Sequence, residues 1–254
     1  MNFTVPKLVQ ASSYEEIDRL QSEAILAHGR RLGHPLSILE AGCGQRWTID
    51  LTGLAYTLTG IDLDAAALEM RKTNARDLDV GICGDLCSVE LAEASFDVIY
   101  SSFVLEHVPR ADIALHNFVK WLRPGGLLIL RLPDPTTVRG FFARSLPFWA
   151  HVWYYRYVNG VKTAGLPGHA PYPAAYHPVI GRERLCRFLA EGGVTCLACY
   201  GDGFRREGSN NAMNAIIKGV SKLVSILSFG RLNADYADAL YIAVKSSASL
   251  CPIA

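Results

Sequence analysis

No stretch of this sequence stays apolar for the roughly 18 residues that a membrane-crossing helix needs. The opening MNFTVPKLVQASSYEE also lacks the charged segment, apolar core and cleavage site of an export signal, so the expected location is cytoplasmic. Charge of one sign is not in excess: 25 Lys and Arg stand against 24 Asp and Glu, a formal net charge of +1. Nucleic acid, which a basic face would attract, is therefore not an expected partner, and small or lipidic molecules fit the balance better. The seven cysteines show no framework spacing, which excludes a disulfide scaffold and leaves reduced thiols as the expectation. Cys196 and Cys199 do form a C-x-x-C, but inside the apolar run 194–200, which reads as a strand. Residues three apart on a regular strand point to opposite faces, so buried apolar thiols are expected rather than a redox pair or half a zinc site.

What the chain does have is length and apolar content: 254 residues, 50% hydrophobic and 19% charged, enough for one α/β domain plus an insertion. Residues 1–254 are read as a single domain, with 134–178 inserted on the substrate side. The organising stretch is 38–62, ILEAGCGQRWTIDLTGLAYTLTGID. Residues 36–41 have the apolar density of a buried parallel strand, and the run ends in Glu40, Gly42, Cys43 and Gly44, glycines that let backbone N–H groups approach a ligand closely. A second strand over 57–61 ends at Asp62, twenty positions after Gly42, where a doubly wound sheet places an acid to accept from ribose hydroxyls. Arg46 and Trp47 occupy the region where a dinucleotide fingerprint has its third glycine, and no Gly-Lys-Ser/Thr phosphate loop is present. Glu40 would repel a pyrophosphate and suit a cationic ligand.

The rest of the pattern alternates helix and strand. Residues 13–32 read as a helix over the cofactor cleft, capped by Ser12 or Ser13 and stopped by Gly33 and Pro35. An abbreviated helix is expected between 45 and 55, a helix over 64–74 with Asp64 as N-cap, and strands at 79–83, 96–100 and 127–132. A helix at 111–122 leads into Leu122-Arg123-Pro124-Gly125-Gly126, a tight reversal. A helix at 182–190 and strands at 194–200 and 240–245 finish the domain. The resulting fold class is α/β, a doubly wound, mostly parallel seven-stranded sheet with an aromatic insertion after the fifth strand. In that insertion, 141–157 has helical periodicity, and its aromatics form an expected wall over the strand ends, where substrates bind. Residues 215–229 read as an amphipathic helix with Lys218 and Lys222 on one side. It is either packed on its own core or a face for weak membrane-surface contact or a homodimer.

Three blocks carry a family resemblance: the acid of Glu40 before Gly-x-Gly, the run FDVIYSSFVLEHV at 96–108, and LRPGG followed by LLILRLPD. Strongly over 36–134, and weakly beyond, the chain resembles the class I S-adenosylmethionine-dependent methyltransferases, closest in local motifs to type 11-like, small-molecule O-methyltransferases. The resemblance implies S-adenosylmethionine as cofactor, with its methionine part in the loop of Glu40, Gly42, Cys43 and Gly44 and its ribose on Asp62, beside Leu63. It also implies that Asp85 accepts from the adenine amino group while Leu86 packs on the ring, and that backbone near Ser101 and Ser102 lines the methyl-donor region. An oxygen acceptor needs a base. His107 is the first candidate, with His177, His169 and Tyr176 as the second set and Asp134 as a holder of a substrate hydroxyl. Glu106-His107 is also similar to the Glu-x-x-Glu-His cation site of the quinone and polyprenyl-phenol O-methyltransferases. Phe103 stands where the first Glu would be, so no metal is expected. Nucleic-acid amino methyltransferases are disfavoured because Ser-Ser-Phe-Val replaces their Asn/Asp-Pro-Pro-aromatic run. The expected activity is methyl transfer to a hydroxyl of a small-molecule, sugar or lipid-linked acceptor. A nicotinamide-dependent oxidoreductase and a non-catalytic partner protein remain as alternatives.

Overall fold

In the computed structural model, which describes residues 4–158, 160–166, 171–202 and 211–247, the apolar runs form eight strands of one sheet. These are β1 (Leu8–Ala11), β2 (Leu36–Ala41), β3 (Tyr56–Asp62), β4 (Val80–Cys83), β5 (Phe96–Ser102), β6 (Leu122–Pro133), β7 (Val194–Asp202) and β8 (Asp238–Lys245). Their order across the sheet is β1-β7-β8-β6-β5-β2-β3-β4, parallel except for β8, which runs against both β6 and β7. The mostly parallel, doubly wound reading holds, with one strand more than expected: β1 pairs with β7 over four residues whose pattern is too short to mark them. After β2 the chain moves outward through β3 and β4 and returns to the other side of β2 with β5. The crevice at that reversal, outside the carboxyl ends of β2 and β5, is where open α/β sheets bind ligands.

Both sheet faces are covered. On β2, Leu36 and Ile38 join the cluster that includes Ile17 and Ile25, while Leu39 and Ala41 join the one that includes Phe118, Trp121 and Leu189. The first cluster lies under α1 (Tyr14–Leu32) and α2 (Ala65–Met70), and the second under α3 (Ala111–Trp121) and α6 (Arg182–Glu191). Each fully buried aliphatic or aromatic side chain contributes about 1.5–3 kcal/mol, so these two layers hold the strand ends rigidly in place. Helix α1 starts as its sequence dictates, with Ser13 Oγ accepting from the Glu16 N–H and Glu16 accepting from the Ser12 N–H at 2.7 Å. Its stripe of Ile17, Gln21 and Ile25 is buried against the sheet face, because that spacing gives the helix one side to pack.

Three further expectations are corrected. Residues 45–55 contain no helix: Ile49 and Leu51 are both buried at a spacing of two, which suits extended chain, and Gly53 turns at φ +85°. The Arg123–Gly126 stretch is not a free turn but an irregularity within β6, where the partners of β5 jump from Leu122 to Leu127 and Gly125 takes φ +79°. Finally, β7 is not regular between Cys196 and Ala198. The bulge turns Leu197 outward, and Cys196 and Cys199 both join the core cluster that holds Cys186. The thiols are buried as expected, but on one face. Residues 134–178 begin with α4 (Val138–Ser145) and α5 (Phe148–Trp153), bent apart at Pro147, and α7 (Asn211–Leu227) precedes β8.

Candidate active site

The carboxyl ends of β2, β3, β4 and β5 bring together most of the expected cofactor residues. Gly42 takes φ +74° and Gly44 φ +52°, conformations that side chains resist, and the loop doubles back so that the Gly42 and Cys43 N–H groups donate to Ile61 O at 2.8 and 3.1 Å. A Cβ on Gly42 would lie 2.2 Å from Val104 Cγ2, so the loop is packed directly on the residues after β5. At Gly44 nothing lies within 4 Å of a Cβ, which leaves open space above the loop. Asp62, half-buried at the end of β3, accepts from Gly44 N–H at 2.7 Å and from Asp64 N–H at 2.9 Å. Asp64 then caps α2, accepting from Ala66 and Ala67. The next side chain, Leu63, is 74% exposed, an apolar surface beside the acid.

Glu40 does not stand alone beside the loop. Its carboxylate lies 3.0 Å from the guanidinium of Arg71, which is fully buried, donates to Cys43 O at 2.8 Å and pairs with Asp77 at 2.6 Å. Burial by itself would pull the Arg71 pKa down, but Glu40 and Asp77 more than offset it and the guanidinium is held charged. Burial pushes the Glu40 carboxyl up to about 8 against the opposing pull of Arg71. Glu40 therefore orders the glycine loop from beneath through Arg71, a residue that sequence reasoning missed. A lone arginine in an apolar-periodic helix looks like a solvated side chain, and nothing in its spacing marks it. Burial likewise pushes the Cys43 thiol up to about 12, so Cys43 is a packing residue in the loop.

Asp85 is anchored through one oxygen, and Leu86 is redirected. Asp85 Oδ1 caps its own turn by accepting from Cys87 N–H at 2.9 Å, and Leu86 lies in the core cluster with its carbonyl held by Asn117. Leu86 is thus turned away from solvent, and the exposed apolar surface here belongs to Leu63. Ser101 is buried and its hydroxyl donates to Ala41 O at 2.9 Å, tying the end of β5 to the end of β2.

The candidate bases separate. His107 sits in the 3-10 turn Leu105–His107 after β5, with Nδ1 2.8 Å from Pro173 O. A carbonyl only accepts, so Nδ1 carries the proton and a neutral ring keeps Nε2 as the acceptor. Nε2 lies 3.8 Å from Glu106 Oε1. Glu106 is buried, its Oε2 meets no donor among the described residues, and burial pushes its carboxyl up to about 8. Its carbonyl receives the Ala175 and Tyr176 N–H groups, which fold this later stretch of the chain onto the turn. His177 does not share this arrangement. Its Nδ1 accepts from Val179 N–H at 3.2 Å to start a 3-10 turn, and Nε2 points to Asp112 at 3.6 Å, so its lone pair is already used. Asp134 is also a structural residue: fully buried, it accepts from Tyr236 Oη at 2.6 Å and from Thr136. His169 lies outside the described residues.

Sequence reasoning also missed a charged network at the end of β6. Arg131 donates to Asp18 at 3.0 Å and to Asp202 at 3.2 Å, and its guanidinium stacks 5.0 Å from the rings of Tyr14 and Phe103. Phe103, with φ +55°, thus fills the first-Glu position of the quinone motif with a ring that covers a cation. Among the described residues no group of three or more His, Cys, Asp or Glu side chains is arranged to hold a metal.

Comparison with known proteins decides the family. Residues 39–130 match the methyltransferase-domain family. The ubiquinone biosynthesis O-methyltransferase of Nitrosococcus oceani is 30% identical over 201 residues, spanning 70% of this chain and 84% of that protein. The chain belongs to the class I S-adenosylmethionine-dependent methyltransferases. A malonyl-(acyl-carrier protein) O-methyltransferase of Erwinia pyrifoliae is 28% identical over 123 residues, 46% of this chain and 45% of that protein. A SAM-dependent methyltransferase of Methanosarcina mazei shares the fold, with a TM-score of 0.51 and 16% identity over 84% of this chain and 93% of that one. The cofactor of this methyltransferase is S-adenosylmethionine, which supplies a methyl group on a sulfonium sulfur. The site fits it: open space over Gly44, a carboxylate at Asp62 and an exposed Leu63 suit a ribose and a flat base. No helix N-terminus follows the glycine loop, so the positive end of a helix dipole, which favours phosphates, is absent beside it.

Proposed function

We propose that this methyltransferase methylates a hydroxyl group of a small-molecule, sugar or lipid-linked acceptor, with His107 as general base. The observation that carries the reading is the hydrogen bond from His107 Nδ1 to the Pro173 carbonyl. It fixes the tautomer and leaves Nε2 free to take the acceptor's proton at the carboxyl end of β5. Glu106 supports this role, because a carboxyl pushed up to about 8 is mostly neutral at pH 7 and does not compete for the proton. The O-methyltransferase names of the two relatives at about 30% identity point the same way. Asp62, Leu63 and Asp85 hold the adenosine side, and Gly42 to Gly44, braced by Glu40 and Arg71, hold the methionine side. Positioning supplies much of the remaining rate, since donor and acceptor have to lie in line.

The test is a panel of phenols, sugars and lipid alcohols offered to purified protein with S-adenosylmethionine, the products being read by mass spectrometry. A methyl ether formed by the native protein and lost in His107→Ala supports the reading. An N-methyl or C-methyl product, or full activity in His107→Ala, overturns it.

A further inference from the structure

Helix α7 is built inside out. Its apolar residues Ile216, Val220, Leu223, Ile226 and Leu227 fall at spacings of four, three and three to four, one continuous helical stripe, and all five are exposed. The side turned inward carries Ser221, which is buried, and Ser225 and Ser228, which are half-buried. Phe229, just beyond the helix, is 92% exposed. Helix α5 repeats the pattern: Trp149 is 71% exposed, Trp153 one turn on is exposed, and no residue of this helix is buried. Helix α5 follows α4 after Leu146 and Pro147, and α4 meets the chain after α7. Asn233, shortly after α7, exchanges backbone hydrogen bonds with Thr136 and Val138 at the start of α4. Between α4 and the end of α7 runs a groove of about 490 Å³ lined by Phe141, Arg144, Leu227, Phe229, Arg231 and Leu232.

The charge of this surface names its occupant. Residues 135–181 contain Arg139, Arg144, Arg156 and Lys162 and no acid, and residues 208–234 contain Lys218, Lys222 and Arg231 and no acid, although the whole chain is balanced at 25 to 24; Asp238 faces Arg139 at 3.8 Å and Asp235 lies beside Lys222 and Ile226, which leaves an excess of five cations on this surface. Two copies meeting through this face would oppose cation to cation. Anionic headgroups supply the missing charge, and exposed Trp, Phe and Leu side chains are what an interface of lipid and water accepts. We propose that α5 and α7 dock this protein on an anionic lipid surface. The proposal does not rest on which acceptor is methylated.

Sedimentation of the full chain with vesicles tests it. Binding is expected to vesicles of equimolar phosphatidylcholine and phosphatidylglycerol and to weaken with salt, and little is expected to phosphatidylcholine alone. Losing each base weakens binding roughly fivefold, so Lys218→Glu with Lys222→Glu should weaken it by considerably more than tenfold. Ile226→Ser with Phe229→Ser should also release the protein, with its circular dichroism and its affinity for S-adenosylhomocysteine unchanged. Absence of sedimentation with the anionic vesicles overturns the proposal, as does unchanged binding in both variants. A dimer seen by light scattering that Ile226→Ser dissolves, without vesicle binding, assigns the face to a second copy. Binding to polyglutamate but not to vesicles assigns it to an acidic protein.

Discussion

Both carboxylate oxygens of Asp62 are used by the backbone, Oδ2 by Gly44 and Oδ1 by Asp64, and each keeps a lone pair for a ribose hydroxyl. Asp62→Ala should therefore weaken S-adenosylhomocysteine binding roughly a hundredfold, since two charge-assisted hydrogen bonds go; calorimetry on a variant with native circular dichroism checks this. The two histidines should part. His107→Ala should lower turnover roughly 10²-fold with cofactor affinity kept, and His177→Ala should leave turnover close to native, because its lone pair already receives the Val179 N–H. Initial rates under saturating cofactor separate them. Glu106 gives a stability prediction. Its folded pKa of about 8 lies above the ordinary 4.5, so its contribution is fully present below about pH 4.5 and is lost as pH rises through 8. Glu106→Gln should remove a penalty on the order of a few kcal/mol at pH 9 and change little at pH 5. Melting curves of both proteins at the two pH values test it, and parallel pH profiles would sink it.

At the level of elements, the glycine loop is held by helix α2 rather than by a helix of its own. Arg71, at the end of α2, reaches back to Glu40 on β2 and to the carbonyl of Cys43. Arg71→Ala takes the partner from Asp77 and the donor from the Cys43 carbonyl and the Glu40 carboxyl, so it should cost about 1–3 kcal/mol and loosen the loop with it; urea unfolding and cofactor calorimetry on the same variant report both effects. Much of this level is legible in the sequence. Asp64 marks the start of α2, Ser13 and Gly33 mark the ends of α1, and the runs ending at Ala41 and Asp62 mark two strands with their acids and glycines. What the sequence hides is contact between distant segments. Nothing near Leu86 tells whether its side chain meets a ligand or the core, and nothing near Arg71 reveals that it is buried. The bulge at Leu197 is hidden too, because one unpaired residue changes which face a cysteine occupies without changing the apolar pattern.

At the scale of the whole molecule, a ligand held between the ends of four strands should stabilise all of it. Saturation with S-adenosylhomocysteine at a hundred times its Kd adds about 2.7 kcal/mol. For a chain of this size that amounts to a rise in Tm of roughly 5 to 10 °C, and Asp62→Ala should lose most of it at the same concentration. Differential scanning calorimetry decides. No helix among the described residues is long and apolar enough to cross a membrane, so contact with lipid through α5 and α7 would be at the surface. The local order of residues determined the alternation of strand and helix, the parallel sheet, the glycine loop and the acid after β3, because periodicity, capping and turn chemistry act over a few neighbouring positions. Only the tertiary structure decided that His107 is fixed by Pro173 while His177 caps a turn, that Glu40 faces Arg71, and that α7 turns its serines inward. Each of those depends on which segments meet across the sheet, and burial and hydrogen-bond partners are properties of that meeting rather than of any single stretch of chain.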